Sequence, residues 1–188
     1  MTPAARIQTL VASDPERLRI LRWVRDLDLP DCWVAAGFVR SLVWDHLHRR
    51  SPSPLPPDID VIWFDPTQAS PERDAELDTI LRGCNDQLQW SVKNQARMHM
   101  RNGDSPYRSA TEAMTHWPET ATAVAMRLSE RDVVEIAAPF GLEDLFELIV
   151  RPAGRPAGRF KDKKQPIYRE RLRNKNWQAT WPKLKVLP

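Results

Sequence analysis

Four prolines, Pro52, Pro54, Pro56 and Pro57, fall inside the stretch 48–57 and forbid it from continuing any regular element. Each removes a backbone N–H and fixes φ, so the stretch is neither helix interior nor central strand. What it separates is well patterned. Val39, Leu42, Val43 and Leu47 recur at helical spacing after Gly37, and residues 58–64 read as a strand closed by Asp65-Pro66. Before Gly37, the apolar run Cys32-Trp33-Val34-Ala35-Ala36 reads as a short buried strand. The chain is therefore expected to run strand, glycine turn, helix, proline loop, strand.

The flanking segments extend this alternation. Ser13-Asp14-Pro15-Glu16 supplies an N-cap, an early helical proline and a capping-box glutamate, and Leu18, Leu21 and Val24 follow at helical spacing. That helix is expected to end near residues 29–31. Ser70-Pro71 opens a third helix bearing Leu77, Ile80 and Leu81, and residues 88–93 read as a strand. Ser109-Ala110-Thr111-Glu112 is a second capping box. Residues 121–128 and 132–138, joined by Ser129-Glu130-Arg131, predict a β-hairpin, and 142–150 predict a last helix. The class that fits is α/β (α+β), a mixed β-sheet flanked by helices.

At 188 residues the chain suits one domain. The expected division is 1–150 as that domain and 151–188 as a basic C-terminal extension packed on it through Trp177 and Trp181. No apolar run approaches the roughly 20 residues that span a bilayer, and the first ten residues lack a signal-peptide core. A cytoplasmic protein without a membrane partner is expected. Cys32 and Cys84 lie far apart beside apolar residues and are expected to be buried free thiols.

The net charge of +3 hides an asymmetry. Residues 151–188 hold 12 Lys/Arg against two acids, Asp162 and Glu170, whereas the rest holds 16 basic and 23 acidic groups. A basic end with Tyr168, Trp177 and Trp181 among its cations suits contacts to nucleic acid or to a polyphosphate. It suits equally a strap that packs its tryptophans on the domain.

Asp58 and Asp60 lie two apart on the strand that leaves the proline loop, so both carboxylates leave one face while Ile59 and Val61 enter the core. Paired carboxylates repel unless a cation lies between them. Hard oxygen donors suit Mg²⁺ or Mn²⁺, which keep waters and bind substrate phosphates. Gly37 permits close backbone approach, and the helix start behind it, with Arg40 in its first turn, favours phosphate. The polar run Lys93-Asn94-Gln95-Ala96-Arg97-Met98-His99 concentrates further donors at a strand-to-helix junction. Lys93 and Arg97 are candidate triphosphate contacts, and His99 a candidate base for an acceptor hydroxyl.

Ala36-Gly37-Phe38-Val39-Arg40 followed by Asp58-Ile59-Asp60-Val61 resembles the glycine-turn and Asp-x-Asp signature of the DNA polymerase β-like nucleotidyltransferase superfamily. Those runs, with 92–99, Trp117-Pro118-Glu119-Thr120-Ala121 and 138–146, resemble more closely a bacterial nucleotidyltransferase-like family, over most of the chain from Trp33 to Leu184. The resemblance implies an NTP substrate and Mg²⁺ (or Mn²⁺) on Asp58 and Asp60. Gly37, Arg40, Lys93 and Arg97 would hold the phosphates, and the acceptor could be a small molecule, a protein or an RNA end. Two departures stand out: Phe38 occupies a position that is usually small, and the glycine-to-aspartate interval is long. Catalytic members of the superfamily add a third carboxylate from a neighbouring strand. Asp65 has the wrong strand parity and Ser91 is not a carboxylate, which leaves Glu135 as the best candidate.

Two rivals share these features. A catalytically inactive nucleotide- or nucleic-acid-binding module would keep the fold and lack the third carboxylate. An Asp-x-Asp glycosyltransferase would use the same metal logic, but the short chain and the immediate glycine–helix–Asp-x-Asp order argue against it.

Overall fold

The computed structural model describes residues 1–153 and 159–188, with side chains omitted for 159–163. It opens with a helix, α1 (Pro3–Ala12), capped by Thr2 and burying Ile7 and Val11. Next comes α2 (Pro15–Arg25), whose Asp14 side chain caps the Arg17 amide with Pro15 in the first turn. Then follow β1 (Trp33–Ala35), α3 (Gly37–Leu47), β2 (Ile59–Trp63), α4 (Pro71–Cys84) and β3 (Trp90–Asn94). After these lie α5 (Gln95–Asn102), α6 (Ala110–Met114), β4 (Ala125–Leu128) and β5 (Val134–Ala137). The chain closes with α7 (Glu143–Phe146), β6 (Ile149–Val150), α8 (Arg159–Lys175), α9 (Trp177–Thr180) and β7 (Lys185–Val186).

Five strands form a mixed sheet in the order β3-β2-β1-β4-β5, and β6 pairs in parallel with β7 in a separate ribbon. Only β2 and β3 are parallel within the large sheet; the other pairs are antiparallel. Pairing register places Ser91, Asp60, Ala35, Ala125 and Ala137 in one row across all five strands, on one face. The opposite face carries Val34, Ile59, Val61, Val92 and Met126, which pack with side chains of α1 to α4 into the main core. A smaller cluster of Trp33, Ile62, Ala110, Met114 and Ala125 covers part of the Asp60 face under α6. Where α6 stops covering it, that face opens into a cleft.

Three expectations need correction. The segment 142–150 is not one helix. It reverses at Leu148 (φ 59°) after the single turn of α7, and Ile149 and Val150 pair with the chain end. The hairpin's first strand begins only at Ala125, because residues 120–122 form a tight 3-10 turn. Cys84 is exposed and Cys32 half-buried. The buried residues of α4 are Asp74, Leu77 and Leu81, and Cys84 is the last residue of the helix.

The C-terminal residues lie against the domain. Trp177 and Trp181 meet Trp44 of α3 edge-on, with ring centroids 5.7 and 5.1 Å apart. The fully buried Tyr168 donates its hydroxyl to the Val150 carbonyl at 3.0 Å. Among the described residues, no helix is long and apolar enough to cross a membrane.

Candidate active site

The turn between β1 and α3 is strained at Ala36 rather than at the glycine. Ala36 has φ 53° and ψ −115°, a region that residues with a Cβ rarely adopt. It is held there at both ends: its N–H donates to the Val124 carbonyl at 2.8 Å, and its carbonyl accepts from Val39 and Arg40. Gly37 meets a different constraint. A Cβ at Gly37 would stand 3.2 Å from Cβ of Pro56 and 3.5 Å from Nη2 of Arg40, so the proline loop closes directly on the glycine. Phe38 does not alter this cradle, because its side chain is fully buried beneath the Arg17 guanidinium, 5.6 Å away.

Across the row from this turn stands Asp60, between Ala35 on β1 and Ser91 on β3. Asp58 precedes the strand and is exposed. The two charges sense each other. The Asp60 carboxyl is pushed up to about 6, first by burial and then by Asp58, while Ser91, Arg40 and Lys175 pull it the other way. A hard cation would relieve this repulsion, and two carboxylates completed by waters and phosphate oxygens are a usual Mg²⁺ arrangement. Among the described residues, no group of three or more His, Cys, Asp or Glu stands ready to hold a metal unaided. The donor set therefore fits a cation that substrate helps to bind.

Asp60 and Ser91 open into a cleft of about 300 Å³, bordered also by Lys93, His116, Lys164 and Arg171. Lys93 stands one row along from Asp60 on the same face. The remaining candidates lie elsewhere. Arg97 turns away to the buried Asp74, which also accepts from Trp63 Nε1 at 2.9 Å and from the Asn94 amide. His99 folds its Nδ1 onto the Ala96 carbonyl at 2.9 Å, against Tyr107. Glu135 shares the face of Asp60 but stands on β5, three strands away, which is about 14 Å of sheet. There it accepts from Arg127 Nε at 2.7 Å. The structure does not bring Glu135 to the carboxylate pair, because the strands flanking Asp60 present Ala35 and Ser91 in register.

Arg40, a candidate phosphate contact, is joined at the site by three residues that were not: Glu119, Arg171 and Trp177. Arg40 is buried, at 9% exposure, and its Nε has no hydrogen-bond partner among the described residues. Its guanidinium carbon lies 5.2 Å from the Trp44 ring and 4.8 Å from that of Trp177. Burial lowers its pKa to about 10, opposed by Glu119, Asp60 and Asp58. The fully buried Glu119 accepts from Arg171 Nε at 2.7 Å and from the Thr122 hydroxyl at 2.8 Å. Glu119 sits in the run 117–121 that carried part of the resemblance, so a signal existed. For Arg171 and Trp177 there was only a basic, aromatic tail, which says nothing of where it docks.

Comparison with known proteins places this geometry. A search among curated proteins found no match. Among solved structures, one described as an NMR structure that reveals a CCA-adding enzyme head domain is 38% identical. It superposes with a TM-score of 0.85 over 97% of this chain and 95% of its own. A CCA-adding enzyme in complex with CTP is 16% identical, with a TM-score of 0.61 over 98% of this chain and 43% of that one. The Thermotoga maritima CCA-adding enzyme complexed with tRNA is also 16% identical, with a TM-score of 0.60 over 97% of this chain and 42% of that one. The chain thus spans about two fifths of those two enzymes, and at that identity the likeness is one of fold. A family model described as nucleotidyltransferase matches residues 22–186. With the match covering most of its length and the sheet, glycine turn and carboxylate strand in place, the chain belongs to this nucleotidyltransferase family.

Proposed function

We propose that the protein is a metal-dependent nucleotidyltransferase that moves a nucleoside monophosphate from an NTP to an acceptor hydroxyl. The observation that carries this reading is that Asp60, whose charge is coupled to that of Asp58, lines a cleft bordered by Lys93, Lys164 and Arg171, with Ala36 of the glycine turn at its edge. Asp58 and Asp60 would hold Mg²⁺ (or Mn²⁺), which when bound supplies charge neutralisation at the phosphates and lowers the pKa of a bound oxygen. Gly37, lacking a Cβ, lets the proline loop close on the turn, and Arg40 and Lys93 place positive charge near it. In the reaction, a bond forms between the acceptor oxygen and the α-phosphorus. The bond from that phosphorus to the α,β-bridging oxygen breaks, its electron pair leaves on pyrophosphate, and the acceptor proton passes to solvent. An RNA end is the acceptor we favour, since structures of similar fold hold CTP and tRNA. The basic C-terminal extension would then contact RNA backbone, in a cytoplasmic setting.

Calorimetry tests the site. Mg²⁺ with ATP or CTP should bind the wild-type chain and fail to bind Asp58→Ala/Asp60→Ala; equal binding by the double variant would reject the assignment. A second reading, a nucleotide-binding module without turnover, is favoured by one observation: no third His, Cys, Asp or Glu joins the carboxylate pair among the described residues. Incubation with α-labelled NTP and RNA separates the two. Label carried into RNA and lost with Asp60→Asn supports transfer, whereas tight metal-dependent binding without incorporation supports the module.

A further inference from the structure

The neutral polar side chains Gln95, Asn102, His116 and Thr122 border the cleft, and each directs a nitrogen or hydroxyl into the protein. Gln95 Nε2 donates to the Lys93 carbonyl at 3.1 Å, and Thr122 Oγ1 donates to Glu119 Oε2 at 2.8 Å. Asn102 Nδ2 donates to the Tyr107 hydroxyl at 3.1 Å, which accepts there because its own proton goes to Asp104 Oδ2 at 2.6 Å. His116 turns Nδ1 toward the same Oδ2, 3.4 Å away, and its ring lies against Tyr107 with centroids 4.9 Å apart. A carboxylate beside Nδ1 keeps a proton on that nitrogen and leaves Nε2 as an acceptor. Among the described residues, Gln95 Oε1, Asn102 Oδ1 and His116 Nε2 have no hydrogen-bond partner. The same cleft is walled by Met98, Trp117, Pro118 and Ile167, the last of these an exposed isoleucine. Apart from Asp60, the charged side chains described around it are cations: Lys93, Lys164 and Arg171.

This combination narrows the chemistry of an occupant. Unmet acceptors ask for a donor on the ligand, and three cations disfavour an ammonium. A neutral donor on an apolar ring satisfies both, and an aromatic amine is such a group. Along α8 the cleft runs from Arg171, paired with Glu119, to Lys164, paired with Asp104, two turns of helix or about 10 Å. That length separates the Asn102 and His116 corner from the Arg171 end.

We propose that this corner is a nucleobase slot selective for an exocyclic amine, in which Asn102 and His116 accept its two N–H groups. Tyr107 and Asp104 are the positioning residues that turn both acceptors outward. The slot presupposes the nucleotidyl-transfer reading and adds to it what the base of the substrate must carry. A ring carbonyl in place of the amine would set oxygen against Asn102 Oδ1 and leave both acceptors unmet. Two sources offer such a base, the NTP and the last nucleotide of an RNA end.

Adenine and hypoxanthine differ at this group, amine against carbonyl. The test titrates the full chain with MgATP and MgITP, and with short RNAs ending in adenosine or inosine, each variant being checked by thermal melting. ATP should bind at least about tenfold more tightly than ITP. Nucleotides that bind alike while the RNAs differ would put the acceptor's last base in the slot. Equal affinity within both pairs would overturn it. Asn102→Leu and His116→Phe should each weaken the adenine ligand by about tenfold and leave the hypoxanthine ligand within about twofold. Tyr107→Phe keeps a ring against His116 and removes the hydroxyl that orients Asn102, so it should lower the preference by a smaller factor. Met100→Ala, exposed on the same helix as Asn102, should leave it unchanged. Variants that weaken both members of a pair equally act through the fold, and that result would also overturn the selection. Adenosine and inosine, which carry no phosphate, should keep the preference in Asp58→Ala/Asp60→Ala; its loss there would assign the discrimination to the carboxylates and not to the slot. MgATP binding that ignores those aspartates rejects the transferase reading and leaves the slot as a base-binding site, whereas a chain that binds none of these ligands rejects both.

Discussion

The indole nitrogen of Trp181 donates to Oδ1 of Asp45 at 2.8 Å, across 136 residues of sequence. Asp45 is completely buried, and it also accepts from the Ser53 hydroxyl at 2.8 Å and pairs with Arg50 at 3.1 Å. One carboxylate of α3 thus ties the proline loop and the chain end to the same helix. Trp181→Phe keeps the ring packing on Trp44 and loses only the donor, leaving a buried acceptor partly unmet. It should destabilise the protein by about 1–3 kcal/mol in urea unfolding. A loss under a few tenths would mean that Arg50 and Ser53 satisfy Asp45 without it.

Ala36 occupies a glycine-like conformation, held at both ends by backbone hydrogen bonds. Relief of about 1–3 kcal/mol of strain should outweigh the 0.5–1 kcal/mol entropic cost of glycine, each value being approximate. Ala36→Gly should therefore stabilise the fold by about 1 kcal/mol in thermal or chemical melts. A destabilised variant would show that the turn is not strained.

Asp60 titrates near 6 in the folded protein, raised from 3.8 chiefly by burial and by Asp58. A raised carboxyl means that the folded state binds the proton more tightly than the unfolded chain does. Stability falls as pH rises from about 4 to about 6, and the cost is fully present above that window. It amounts to at most about 3 kcal/mol. Metal-free Asp60→Asn should be more stable than wild type at pH 7.5 and lose that advantage near pH 4. Mg²⁺ affinity of the wild type should rise through the same window, because the proton must leave first. An advantage for Asp60→Asn that is independent of pH would contradict this.

Arg97 serves Asp74 and not the cleft, so its loss should cost stability and spare ligand affinity. Arg97→Met leaves a buried carboxylate with two remaining donors and should destabilise by about 3 kcal/mol. Affinity for MgATP in the folded fraction should match wild type. A weakened affinity at unchanged stability would return Arg97 to the phosphate contacts.

The two thiols should differ sharply. Burial, with Asp31 adding to it, pushes Cys32 up to about 12, whereas Cys84 is exposed at the end of α4. At pH 8, iodoacetamide should modify Cys84 well before Cys32, as mass spectrometry of timed digests will show. Comparable rates would mean that Cys32 opens to solvent more often than its packing implies.

Local chemistry made some of this protein readable from its residues alone. The proline loop, the capped starts at Asp14, Ser70 and Ser109, and the parity that sends Ile59 inward all act within a few residues. The pairing of Asp58 with Asp60 and the placement of Gly37 before α3 follow from the same short-range geometry. Long-range contacts decided the rest. Glu135 has the right face and residue type, but sheet order sets it three strands from Asp60, and order is fixed by packing between distant segments. Arg97 looked free beside Lys93 until α4 brought Asp74 to it. Arg171 and Trp177 resembled an ordinary basic tail, and only docking against α3 and Glu119 placed them around Arg40. The sequence by itself determined where chain direction changes and which face of its strand Asp60 takes, since neighbouring residues set those torsions. Tertiary structure alone decided which charges meet at the cleft, because burial and cross-chain pairing select among side chains whose local surroundings are alike.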